Sequence, residues 1–322
     1  MITRRRALQA ATILPFAVSG LAVAAAPNEI RVDWATYNPV SIVLKQQGLL
    51  EAEFARDTIA IRWVQSAGSN KALEFLNAGS IDFGSSAGAA ALIARVNANP
   101  IKSVYVFSRP EWTALVTQAN SPIKTVEDLK GQRIAVTRGT DPHIFLVRAL
   151  AGAGMSEKDV KLVLLQHADG RTALERGDVV AWAGLDPMMA AAEIDSGARL
   201  FYRKPEANTW GVLNVREAFA AENPELVLRV LTIYDRARAW AAAHPEELKA
   251  MLVTAMKLPD PVVARQLTRT DISSGRIGAT QAAAIIEAGK ALQAAGVLDA
   301  SVDVVAVTNA MIDPSYVVKL RA

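Results

Sequence analysis

The stretch RIAVTRGTDPHIF, residues 133–145, runs an apolar strand straight into a helix start. Ile134, Ala135 and Val136 form a short buried-strand pattern. Thr137-Arg138-Gly139-Thr140-Asp141-Pro142 then supplies turn chemistry. Gly139 lets the backbone approach closely, and Thr140 adds a hydroxyl donor. Asp141 suits a cap, and the missing N–H of Pro142 costs nothing in a first helical turn. A strand ending in a capped helix is half of a βαβ unit and predicts an α/β fold. Outside the strand's carboxyl end, the helix start offers free N–H groups and a partial positive charge, the equipment for holding an anion.

The same design recurs on both sides. Asn38-Pro39 follows a strand ending near Trp34, and Asp186-Pro187 follows a strand at 179–183. Each is read with Asn or Asp as N-cap and proline at the first helical position. One such start is merely a good cap. Three at the carboxyl ends of parallel strands place a ligand there. Ser85-Ser86-Ala87-Gly88 is read as opening a fourth helix, with two hydroxyls and exposed amides.

Strand patterns fall at 29–34, 59–64, 81–84, 104–108, 115–118, 133–137, 160–165, 179–183, 200–203 and 210–215, with helical segments between them. Beyond Val215 the chain reads as almost wholly helical, with Leu226, Val230, Ile233, Ala237 and Trp240 on one helix face. A weak repeat supports two lobes. LNAGSIDFGSSAGAAALIA from Leu76 and LERGDVVAWAGLDPMMAAA from Leu174 share a leucine, a glycine (Gly79, Gly177), an apolar strand and an alanine-rich helix. The division expected is 1–26 as a cleaved export signal, 27–115 plus 212–322 as lobe I, and 116–211 as lobe II.

The 322 residues suffice for two such lobes. Lys and Arg number 35 against 32 Asp and Glu, and the whole excess is Arg4, Arg5 and Arg6. Without residues 1–26 the chain is formally neutral, so nucleic acid is not an expected partner. The three arginines, the apolar run after them and Ala24-Ala25-Ala26 describe an export signal, similar to the twin-arginine kind. Pro15 and the shortness of the run argue against a membrane anchor. There is no cysteine, hence neither disulfide nor lipidated N-terminal cysteine, and the expectation is a monomer free in a periplasm.

Catalytic signatures are missing. The chain has no GxxxxGK[ST], no Rossmann-spaced GxGxxG and no HExxH. The histidines, His143, His167 and His244, are scattered. His143 lies in the first turn of the opening motif, placed either to donate to a ligand or to serve the cap. No cofactor and no metal site are expected.

SPIKTVEDLKGQRIAVTRGTDPHIFLVRALAGAG (121–154) resembles the second-lobe entry of substrate-binding proteins for aliphatic sulfonates, taurine and nitrate, most of all the alkanesulfonate binders. NAGSIDFG, RGDVVAWAGLDPMMAAAE and REAFAAENPELVLRVL fit the same family in order along the chain. The resemblance implies a type II-like periplasmic binding protein of ABC import, with two α/β lobes, each a mixed sheet, around a two-segment hinge. It implies a small organic anion as ligand and a membrane permease as partner. Carried over residue by residue, it points to Asn38, Ser85, Ser86, Gly139, Thr140, His143 and Asp186 at the ligand. Trp112, Thr113 and Trp210 lie near the crossings, to cover the organic tail, with hinge packing as the alternative for either tryptophan. Asp186 either caps its helix or pairs with a ligand amine.

The resulting expectation is a receptor that delivers an alkanesulfonate to a permease, with taurine, nitrate or another oxyanion as the alternative ligand. A sensory subunit is a second class. An enzyme of the thiamine-pyrimidine-synthase kind is a third, and the lack of cysteine argues against it.

Overall fold

A computed structural model describes residues 27–320; the expected export signal lies outside the described residues. The chain opens with β1 (Glu29–Trp34), α1 (Pro39–Gln46), α2 (Leu49–Phe54), β2 (Ala60–Gln65), α3 (Ser69–Asn77), β3 (Phe83–Ala87), α4 (Gly88–Val96) and β4 (Ile101–Pro110). The middle third holds β5 (Leu115–Thr117), β6 (Arg133–Val136), α5 (Asp141–Gly152), β7 (Lys161–Leu164), α6 (His167–Arg176), β8 (Ala181–Ala183), α7 (Met188–Ser196) and β9 (Arg199–Tyr202). The last part is β10 (Gly211–Arg216), α8 (Glu217–Glu222), α9 (Pro224–Ala243), α10 (Pro245–Met256), α11 (Asp260–Leu267), β11 (Thr270–Asp271), α12 (Ala279–Ala294) and α13 (Val304–Met311).

Two sheets result, ordered β11-β4-β10-β3-β1-β2 and β7-β6-β8-β5-β9. In the first, β1 runs parallel to β2 and β3, while β10 lies antiparallel to β3 and β4. In the second, β6 runs parallel to β7 and β8, while β5 lies antiparallel to β8 and β9. The α/β class and the mixed sheets are as expected. The sequence repeat has a structural counterpart, since β2-β1-β3 and β7-β6-β8 are the same arrangement. Gly79 and Gly177, its shared glycines, both take left-handed φ, +66° and +79°, where a helix must turn into a strand.

Boundaries moved where flanking context overrode the local pattern. Leu115, expected to close lobe I, opens β5 and pairs with Ala183 and Tyr202 of the second sheet. Gly211, expected to end lobe II, begins β10 in the first sheet. The strand expected at 81–84 starts at Phe83 and continues to Ala87, so Ser85 and Ser86 lie inside β3 and do not open a helix. The two-residue β11, pairing with Arg109 and Pro110, is too short for any periodicity to announce.

In the first core α1 packs on β1 and α4 on β3, β4 and β10, with α9 against α1 and α12 against α4. The second sheet has one apolar cluster on each face, one around Phe145 and Leu150, the other around Trp182 and Leu174. The lobes also share apolar contact. Ile144 and Val147 of α5 and Leu185 belong to the first core, because α5 packs on α4 and α12.

Candidate ligand-binding site

Helices leave the carboxyl ends of three parallel strands in each sheet. They are α1, α3 and α4 in one lobe and α5, α6 and α7 in the other. The starts of α3, α5 and α6 meet at a small void of about 10 Å3. Tyr37 and Ser69 line it from the first lobe and Trp112 from the crossing. Thr140, Asp141, Pro142, His167 and Leu185 line it from the second. The first amides of each helix lack an intrahelical acceptor by geometry, and three helix starts focus partial positive charge on this space.

Two equivalent starts face each other across the cleft. Ser69 opens α3 and His167 opens α6. Ser69 Oγ accepts the Ala87 amide at 3.0 Å. Gly68, just before it, admits the histidine ring, since a Cβ there would stand 2.9 Å from His167 Nε2 and 2.9 Å from Asn70 Oδ1. Both of those atoms are buried without a hydrogen-bond partner among the described residues. Gly139, with φ +76°, brings the RGT turn to within 3.7 Å of the Asn70 side chain, measured from an ideal Cβ. The lobes therefore touch at the cleft.

The tautomer of His167 follows from its neighbours. Thr137 Oγ1 donates its one proton to the Leu165 carbonyl at 2.7 Å, so the 3.2 Å contact with His167 Nδ1 must have that nitrogen as donor. Nε2 is left as a bare acceptor facing the cleft. Burial pushes the imidazole down to about 3.

Asp141 is not the N-cap it was expected to be. Thr140 takes that position, and Asp141 is the first helical residue. Its carboxylate accepts the Trp112 indole N–H at 2.8 Å, the Thr209 amide at 3.0 Å and the Thr209 hydroxyl at 2.6 Å. One side chain thus ties α5 to both crossings, residues 111–114 and 203–210. Thr140 Oγ1 donates to the Thr137 carbonyl at 2.6 Å, which commits the hydroxyl proton expected for the ligand.

The other expected residues are placed as follows. Thr113 joins the crossings, its hydroxyl donating to the Gly184 carbonyl and its amide to Asn208 Oδ1. Trp210 lies under the Arg109 guanidinium, and its carbonyl accepts the Gly88 amide. Asn38 does cap α1, accepting from the Ser41 amide at 3.2 Å, but its Nδ2 donates to Ser85 Oγ and Tyr234 OH. Ser85 donates by amide and hydroxyl to the buried Asp33 carboxylate, and Ser86 accepts from Asn214. These three are fully buried in a polar network beneath the cleft. The exposed amides expected at the start of α4 are bonded, Gly88 to the Trp210 carbonyl and Ala89 to Thr209 Oγ1. His143 turns into its own lobe, its Nε2 2.7 Å from Glu157 Oε1, and is not on the lining.

Asp186 has its partners within the protein. Oδ1 accepts the Ala190 amide at 2.9 Å, and Arg269 approaches both oxygens at 3.3 and 3.4 Å. Burial raises its carboxyl, and the Arg269 charge opposes that. Arg269 also pairs with Glu193, so it ties α7 to the segment that follows α11.

Of the expected set, the void brings together Trp112 and Thr140, with Gly139 at its rim. Sequence reasoning passed over Tyr37, Gly68, Ser69, Asn70 and His167. The GSN at 68–70 obeys the same small-polar helix-start grammar as RGTDP, and it was legible. His167 carried no such signal, because Gln166 is its N-cap and no proline follows.

The described residues hold no cluster of three His, Asp or Glu suited to a metal ion, and no helix long and apolar enough to cross a membrane. What remains is a closed, amide-rich seat between two α/β sheets, joined by two crossings. That is the two-lobed fold of periplasmic binding proteins, found in solved structures over about nine-tenths of this chain. The chain belongs to the NMT1/THI5-like family, whose model matches residues 54–248. It is 33% identical over 254 residues to a protein of Escherichia coli (strain K12) named for aliphatic sulfonate binding, spanning 78% of this chain and 79% of that one.

Among solved structures, it resembles the alkanesulfonate-binding protein SsuA from Xanthomonas axonopodis pv. citri bound to MOPS. The TM-score is 0.81 and the identity 27%, over 89% of this chain and 98% of the other. The periplasmic aliphatic sulphonate binding protein SsuA from Escherichia coli follows with a TM-score of 0.76 and 29% identity, over 90% and 93%. The resemblance read from residues 121–154 is borne out by these matches. The desulfurization enzyme DSZB has the same fold at 15% identity, a likeness of fold alone.

Proposed function

We propose that this chain is an extracytoplasmic solute receptor that holds an aliphatic sulfonate between its lobes and delivers it to an ABC-type membrane permease. The observation that carries this is the void where the starts of α3, α5 and α6 meet. Tyr37, Ser69 and Trp112 face Thr140, Asp141 and His167 across a space of only about 10 Å3, room for about one water, so a ligand enters as the lobes part. The names of the relatives support a sulfonate as that ligand. Arg4–Arg6 and the apolar run after them support export to a periplasm, and a formally neutral exported chain supports neither nucleic acid nor a basic docking surface. Binding without reaction is favoured because the chain offers no thiol and the Thr137 hydroxyl beside the cleft histidine is spent on the Leu165 carbonyl.

The test is thermal unfolding of the chain from Pro27 against short and long alkanesulfonates, taurine, sulfate, nitrate and a pyrimidine thiamine precursor. A ligand at ~100 times its Kd adds about 2.7 kcal/mol to stability. Alkanesulfonates are expected to shift the midpoint. A shift with nitrate or the pyrimidine alone replaces the substrate, and no shift with any of them removes the receptor function.

A further inference from the structure

His167 Nε2 is a lone pair where an anion is expected. The residue is 1% exposed, its Nδ1 carries the proton, and Nε2 meets no donor among the described residues. Three nearby protons are committed elsewhere, while Ser69, whose Oγ accepts the Ala87 amide, keeps its own. Thr140 donates to the Thr137 carbonyl, Tyr37 to the Ser85 carbonyl and Trp112 to Asp141. Sulfonate oxygens are acceptors only, so a neutral imidazole would repel them. A protonated one would donate a charge-assisted hydrogen bond.

We infer that His167 takes up one proton from solvent as the oxyanion enters, so that the cleft binds an anion and a proton together. This rests on the receptor reading above and adds the charge rule of its site. Gly68 is the enabling neighbour, since it lets the ring edge lie close against it, where a Cβ would stand 2.9 Å from Nε2.

The surroundings decide how far the ligand moves the equilibrium. In the empty cleft, burial holds the imidazole down to about 3. A negative charge ~4 Å away raises its proton affinity about a thousandfold at an effective dielectric near 20. That brings the imidazolium within reach near pH 6. The other groups facing the void or its rim are few. Asp141 of α5 and Tyr37 line it. Arg138 on the turn before α5 pairs with Glu157, and Lys71 of α3 pairs with Glu74. Asp169 follows on the helix of His167 itself. Carboxylate protons could come from Asp141 on the lining and from the buried Asp33 and Asp186, pushed up to about 6 and about 7, and the His167→Gln comparison separates them from the imidazole.

The experiment is calorimetric titration of butanesulfonate into the protein between pH 5 and 8, in buffers of different ionisation enthalpy. Butanesulfonate stays ionised throughout, so any proton taken up is the protein's. Uptake approaching one proton per ligand at the acid end is expected, with affinity falling by up to about tenfold per pH unit. His167→Gln keeps an N–H that does not titrate, and its binding should be independent of pH without uptake. As a measurement that needs no variant, ring nitrogen NMR of the three histidines should show His167 alone becoming doubly protonated at saturation. Binding without proton uptake, or uptake that persists in His167→Gln, overturns the inference and leaves the receptor intact. Absence of binding by any alkanesulfonate overturns both.

Discussion

Trp112 donates its indole N–H to the Asp141 carboxylate across 2.8 Å, and both residues are buried. Trp112 lies on the first crossing and Asp141 at the start of α5. Thr209, on the second crossing, donates twice to the same carboxylate. The helix start at the ligand void and the two crossings that join the lobes are therefore one hydrogen-bonded unit.

Asp141→Ala should destabilise the protein by about 3 kcal/mol or more, because it leaves buried donors on Trp112 and Thr209 unpaired at roughly 1–3 kcal/mol each. Urea unfolding reads the loss as a lower midpoint at unchanged slope. Asp141→Asn keeps one acceptor oxygen and should lose less. A midpoint equal to the parent's would mean that the carboxylate does not tie the crossings.

Gly68→Ala tests closure separately from folding. The backbone there is extended, φ 168°, so alanine brings no strain of its own. Its Cβ would stand 2.9 Å from His167 Nε2 of the other lobe, and 2.9 Å from Asn70 Oδ1, the end of a flexible side chain in its own helix. Affinity for the ligand found by the thermal panel should fall at least about tenfold, while the unfolding free energy without ligand changes by less than ~1 kcal/mol. Unchanged affinity would mean that the cleft does not close at this point to bind.

Asp33 is fully buried without a cation, held by Ser66 Oγ at 2.6 Å and twice by Ser85. Burial pushes its carboxyl up to about 6 from 3.8. The folded state thus holds the proton more tightly than the unfolded state. Stability from this group is full below about pH 3.8, falls between there and about 6, and is flat above, a loss of about 3 kcal/mol. Comparing unfolding of the protein and of Asp33→Asn at pH 4, 5, 6 and 7 checks it. The difference between the two should change across that window, and a constant difference would refute it.

Arg269 is 8% exposed between Asp186 and Glu193. Arg269→Ala leaves a buried carboxylate without its cation, and a loss of about 3–5 kcal/mol is expected by urea unfolding. Arg269→Ala combined with Asp186→Asn should cost less than the single change, which separates the uncompensated charge from lost packing.

Much of the molecule was legible in residues 27–320 before any coordinates. All ten expected strands are present, because alternation, glycine and proline are local signals. The repeat from Leu76 and Leu174 announced two like lobes through Gly79 and Gly177, whose left-handed turns need glycine. The candidate site was legible only in part. Asn38-Pro39 caps its helix as read, yet its amide points down to Ser85 and Tyr234. Ser85 and Ser86 read as a helix start because small polar residues look alike in a turn and in a buried strand.

The sequence by itself determined where strands give way to helices and that those junctions suit an anion, since capping and turn chemistry act within a few residues of chain. Only the tertiary structure decided which junctions face the ligand. That choice depends on two sheets closing over one another, and it brings Gly68 and Asn70 against His167, about a hundred residues apart in the chain, by packing that no local pattern encodes.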